Sequence, residues 1–124
     1  MSFFQTLRRS TVVGKSRKSI YKPQAVTTFT GDDAGSTVPI TGTYVKIDAG
    51  GSAREGARFA GTGEAGQILY VENVGGEKIT FHNTTGTSLG NILAAQDTMA
   101  AGSLQMFISN GSLWQPIAAE MRSS

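Results

Sequence analysis

The clearest hydrophobic patterning lies between residues 67 and 117. "QILYVENV" (67–74) is rich in β-branched and aromatic residues and ends at a glycine pair, which predicts a strand. "KITFHNTTG" (78–86) alternates, with Ile79 and Phe81 on one face and Lys78, Thr80 and His82 on the other. The "GGE" between them predicts a turn, so the two strands are expected to form a hairpin. Further on, "SLQMFISNGSLWQPIA" holds Asn110-Gly111 between two apolar runs, the strongest short-range hairpin signal. A two-residue turn there pairs Ser109 with Ser112, Ile108 with Leu113, Phe107 with Trp114 and, further out, Leu104 with Ile117. One face then carries Leu104, Met106, Ile108, Leu113 and Ile117, while Phe107 and Trp114 stack across the other. Large apolar groups on both faces predict that both become covered, in a sandwich, in a small barrel or against a neighbouring subunit.

Upstream, "AVTTFT" (25–30) has strand composition and "GDDAGS" behind it is a turn cluster. "TVPITGTYVKIDAGGS" places apolar residues at Val38, Ile40, Tyr44, Val45 and Ile47 around Pro39 and Gly42. That pattern fits two short strands or one bent edge strand. A short strand is expected near Arg58-Phe59. The connection after residue 86 holds Ile92-Leu93, and "AAQDTMAA" (94–101) suits a single helical turn. The first 22 residues show no sustained period. Their predicted state is an extended arm that gains little by burying itself and is ordered by a partner. The class is therefore all-β, with an arm over 1–22 and a β-rich body over 23–124.

Composition sharpens this division. The chain has 124 residues, 16 of them glycine and only three proline, which suits short strands joined by tight turns in one domain. It has no cysteine, which excludes disulfides and Cys-based zinc sites, and its single histidine, His82, argues against a His-based metal site or a Ser-His-Asp triad. No apolar stretch approaches the about 20 residues needed to cross a bilayer. The basic N-terminus lacks an apolar core segment and a small-residue cleavage site, so a secretory signal is not expected there. Residues 1–22 contain Arg8, Arg9, Lys15, Arg17, Lys18 and Lys22 and no acid, a charge of +6. The remainder, with five basic and nine acidic residues, carries −4, which restores the net +2 of the whole chain.

Several short patterns invite chemistry. "GTGEAG" (61–66) matches the G-x-G-x-x-G dinucleotide fingerprint, but a strand follows it where the fingerprint needs a helix N-terminus, and no acidic residue stands about 20 positions on. Its glycines are expected in a loop between two strands. Asp32-Asp33 with Asp48 offers oxygen ligands for calcium without the EF-hand spacing, and adjacent aspartates suit a turn. Glu55, Glu64 and Glu72 carry no spacing that would pair two of them for acid/base work. No catalytic, cofactor or metal residues are assigned, and the chain is not read as an enzyme. The arm is different: its charges are interleaved with Phe, Val, Ile and Tyr. It could contact phosphates or lie along an acidic protein surface. Protein docking ranks ahead of a solvated tail, and nucleic acid ranks last, because the body shows no aromatic stacking platform.

The stretch "GQILYVENVGGEKITFHNTTGTSLGN" followed by "AAGSLQMFISNGSLWQPI" resembles the small β-modules of tailed-phage virion proteins: capsid decoration or cement proteins, head fibres and some tail-fibre segments. Asn73, Gly75, Gly76, Ile79, Phe81, Asn83, Gly102, Asn110, Gly111 and Trp114 carry the resemblance. It implies a sandwich-like, barrel-like or β-tripod knob that forms a homotrimer, and no catalytic residues. Joined to the arm, it implies a decoration protein of the outer capsid surface, with the major capsid protein as partner. Arg8, Arg9, Arg17 and Lys18 would meet acidic shell surface, and Phe3, Phe4 and Tyr21 would enter apolar clefts. Leu104, Met106, Phe107, Ile108, Leu113 and Trp114 would form the core and oligomer hairpin. The alternative is a tail-fibre, spike or head-fibre component in host attachment.

Overall fold

The computed structural model describes residues 21–82, 84–85, 88–89, 91–93 and 96–117. These form strands β1 (Thr27–Thr28), β2 (Thr37–Val38), β3 (Tyr44–Asp48), β4 (Arg54–Phe59), β5 (Ile68–Asn73), β6 (Ile79–His82), β7 (Thr84–Thr85), β8 (Ser88–Leu89), β9 (Gln96–Met99), β10 (Leu104–Ser109) and β11 (Trp114–Pro116), with one 3-10 turn at Asp33–Ser36. The protein is all-β, as its alternation predicts.

Two sheets share the core. One has the order β1-β3-β5-β10-β11, the other β2-β4-β6-β9, and β7 and β8 form a separate small ribbon. Through β6 the chain alternates between sheets. Odd strands β1, β3 and β5 run parallel in the first, and even strands β2, β4 and β6 run parallel in the second. Parallel neighbours need a crossover, and here each crossover is a strand of the opposite sheet. Strands β9, β10 and β11 then close the two sheets in antiparallel fashion.

Period-2 alternation decides which side chains enter. Val45 and Ile47 of β3, Leu69 and Val71 of β5, and Phe107 of β10 point inward, against Ala57 and Phe59 of β4, Ile79 and Phe81 of β6 and Met99 of β9. At the centre, Phe59 touches Phe81, Phe107 and Trp114 with ring centroids 5.1, 5.0 and 5.3 Å away. Phe81 and Phe107 close the set at 5.3 Å. Four rings from both sheets thus form one cluster.

Three expectations need correction. β5 and β6 do not form a hairpin, because they lie in different sheets. The chain between them arches across the core edge, held by the buried Asn73. Its amide donates to the carbonyls of Glu77 (2.8 Å), Ala100 (3.2 Å) and Met99 (3.4 Å) and accepts from the Gly75 N–H. The Asn110-Gly111 hairpin exists, but its register is two residues further on: Ser109 faces Trp114, Ile108 faces Gln115 and Phe107 faces Pro116. A two-residue type I′ turn needs positive φ at both central residues, and only Gly111 has it, with φ 97°. Asn110 instead accepts the N–H groups of Ser112 and Leu113 on its side chain, both at 2.8 Å, which makes a four-residue loop. A shift of two keeps the paired strand residues on their predicted faces and moves Leu113 into the loop. Lastly, the segment expected to make a helical turn around 94–101 contains β9, paired with β6 from Ile79–Met99 to His82–Gln96.

Other readings agree with the structure. Residues 37–48 form two short strands rather than one bent strand, and the short strand near Arg58-Phe59 is the end of the longer β4. "GTGEAG" is the loop from β4 to β5. Its role is to cover the tryptophan: Trp114 Nε1 donates to the Gly61 carbonyl at 2.7 Å, and Ser109 Oγ donates to that of Thr62. Gly63 has φ 70°, and a Cβ there would lie 2.7 Å from the Trp114 ring.

Gly63→Ala is therefore expected to destabilise the protein by about 1–3 kcal/mol, from backbone strain and overpacking together. Gly61→Ala, with open space around it, should stay within about 0.5 kcal/mol of wild type. Urea titration followed by Trp114 fluorescence checks the pair, and equal midpoints would refute the covering role. Asn73→Ala leaves the arch carbonyls without their donor and is expected to cost about 2–3 kcal/mol in the same titration.

Candidate functional site

The outer face of the five-stranded sheet carries Tyr21, Ile68 and Leu104, three of the six large apolar residues exposed among those described; Val26, Val74 and Leu93 lie outside its strands. Each of its central strands presents alternate residues outward: Tyr44 and Lys46 from β3, Ile68, Tyr70 and Glu72 from β5, and Leu104, Met106 and Ile108 from β10. Register aligns them in rows. Tyr44 lies beside Tyr70, Tyr70 beside Met106, and Ile117 continues the row through its N–H to the Met106 carbonyl. Ile68 lies beside Ile108, and Lys46, Glu72 and Leu104 make the third row. Leu104 is 57% exposed, the most open large apolar residue among those described.

The end of the arm reaches this face. Pro23 pairs with Tyr44, and the Gln24 N–H donates to the Tyr44 carbonyl at 2.9 Å. Just upstream, the Tyr21 ring stacks on Tyr70 at 5.8 Å and is 50% exposed. Tyr21 and Pro23 are therefore held at a fixed point on the sheet.

The sequence-predicted site residues separate into three groups. Phe3, Phe4, Arg8, Arg9, Arg17 and Lys18 lie outside the described residues. Leu104, Met106 and Ile108 stand on the outer face with Tyr21. Phe107 and Trp114 are fully buried core residues, and Leu113 sits in the hairpin loop instead of opposite Ile108. Pattern reading missed Tyr44, Ile68 and Tyr70, which complete the face. Their signal was present in the alternation with Val45, Leu69 and Val71, but nothing local showed that β3, β5 and β10 are neighbours.

Polar groups frame this surface. The Tyr44 hydroxyl donates to Glu72 Oε1 at 2.6 Å, and Lys46 Nζ stands 5.9 Å from the centroid of the same ring. The bond to Glu72 raises the Tyr44 phenol above the usual tyrosine range, because ionising it would set two anions together. Elsewhere the carboxylates serve local structure. Asp32 accepts the Glu55 N–H, Asp33 pairs with Arg58 at 3.4 Å, Asp48 accepts the Gly50 N–H, and Glu55 lies 3.1 Å from His82 Nε2. Among the described residues no three His, Cys, Asp or Glu side chains gather in a way that could hold a metal ion, and no helix is long and apolar enough to cross a membrane. The chain matches no family model, no curated protein and no solved structure.

The tyrosine pair yields a pH signature. A phenol held above its unfolded value near 10 keeps its stabilising bond below that pH and loses it as pH rises through the folded value. Absorbance titration at 295 nm should show one of the three tyrosines ionising late. Tyr44→Phe is expected to remove that late step, and Glu72→Gln to bring it back toward the ordinary range. Superimposable curves for all three proteins would contradict the assignment.

Proposed function

We propose that this is a structural virion protein that decorates the outer surface of a capsid. The knob, residues 23–124, sits on the shell as a homotrimer, and the arm, residues 1–22, grips the major capsid protein. The observation that carries this reading is the division of charge: a +6 segment with no acid joined to a β-body of −4. Its point of attachment supports it, since Tyr21 and Pro23 are seated on the sheet. The all-β, two-sheet architecture is of the kind that the phage-module resemblance implies. Arg8, Arg9, Arg17 and Lys18 meet acidic shell surface, while Phe3 and Phe4 supply apolar anchors. Tyr21, on this reading, is divided between its own sheet and the shell.

Purified protein mixed with undecorated capsids should give ordered density at regular lattice positions by electron microscopy. Bare shells alongside decorated tails would instead establish the fibre or spike reading. Replacing Arg8, Arg9, Arg17 and Lys18 together by Gln is expected to weaken capsid binding about tenfold or more, with a shallower dependence on salt. Unchanged affinity would remove the arm from the docking role.

A further inference from the structure

We propose that copies of this chain meet through the outer face of the five-stranded sheet, turned toward a shared symmetry axis. The inference rests on the homotrimer reading above and names its surface. Tyr44, Ile68, Tyr70, Leu104, Met106 and Ile108 form one patch across β3, β5 and β10. Ile68 and Leu104 are its exposed members, at 37% and 57%, and the others are half-buried beside them.

Three observations favour a second copy as occupant. Charge on the patch is balanced, because Lys46 lies in register beside Glu72. Like faces therefore meet without net repulsion. The arm residues just before Tyr21, "KSRKSI" (15–20), carry one apolar side chain, Ile20, among three cations and two serines, too little to cover the patch. The sheet edges are poorly suited to pairing between copies. β1 and β2 are two residues long, β11 contains Pro116, and β9 contains Asp97. Short strands, proline and charge discourage edge pairing, which leaves the face as the route to association.

The test is the mass of the full chain in solution, by light scattering after gel filtration. Wild type is expected at a multiple of the 13.0 kDa chain mass, three on the homotrimer reading. Leu104→Asp with Met106→Asp should run at the single-chain mass with the near-ultraviolet signal of Trp114 retained. Thr98→Asp, an exposed position on β9 of the other sheet, should keep the wild-type mass. A Leu104/Met106 variant that stays multimeric overturns the inference, as does a wild type that is monomeric. If the double variant loses its Trp114 signal, single cysteines decide, since the chain has none of its own. Ile68→Cys should cross-link between copies with a short bismaleimide and Thr98→Cys should not, and the absence of that difference overturns the proposal. Capsid binding scored on the same samples is independent. Decoration by a protein whose face variants remain multimeric would refute this surface and leave the decoration reading standing.

Discussion

The structure depends on one contact, that of Phe59 with Trp114. Phe59 belongs to the four-stranded sheet and Trp114 to the five-stranded one, and their rings meet at 5.3 Å inside a cluster completed by Phe81 and Phe107. Burying side chains of this size contributes about 2–3 kcal/mol each, with about 1 kcal/mol more for a well-placed ring pair. The polar surroundings serve the same contact. Asn91 uses its side-chain amide as a substitute peptide, accepting the Phe59 N–H at 3.0 Å and donating to the Phe59 carbonyl at 2.8 Å. Its own carbonyl accepts the Trp114 N–H at 2.7 Å, and the Leu93 N–H donates to the Trp114 carbonyl. One asparagine thus fastens both ring-bearing strands, and the two sheets are stitched together where the rings touch.

This arrangement explains which parts of the fold were legible in the sequence. Alternation is a local property, so Val45 and Ile47, Leu69 and Val71, and Phe107 revealed their strands and inward faces. Sheet membership is not local. Thr27 faces Ile47 and Tyr44 faces Tyr70, pairings that cross a whole strand of the other sheet and that no neighbouring residue signals. Asn73 is the instructive case, because its position before two glycines suggested a hairpin. In the structure its buried amide binds carbonyls of the arch and of the turn after β9, which separates β5 from β6. Asn110-Gly111 marked a true hairpin but allowed more than one loop. Ser109 contributes to the choice by bonding the Gly111 N–H and the Thr62 carbonyl.

The candidate surface was half visible for the same reason. Leu104, Met106 and Ile108 stood out as a second apolar face on a strand whose other face was already committed to the core. Tyr44, Ile68 and Tyr70 joined them only once β3, β5 and β10 became neighbours. "GTGEAG" went the other way. Its glycines looked like ligand chemistry, and one of them, Gly63, turns out to admit the edge of an indole ring where a side chain would collide.

The alternation of strands between sheets has a consequence for biosynthesis. Trp114 follows every other described strand in chain order except the rest of β11 itself, yet it fills the centre of the core. A nascent chain that has exposed β1 through β9 holds two sets of parallel strands with no completed interior and with β5 lacking its β10 neighbour. The core can therefore be completed only once β11 has been synthesised. The basic N-terminal segment is synthesised well before β11, ahead of the residue that completes its own domain's core.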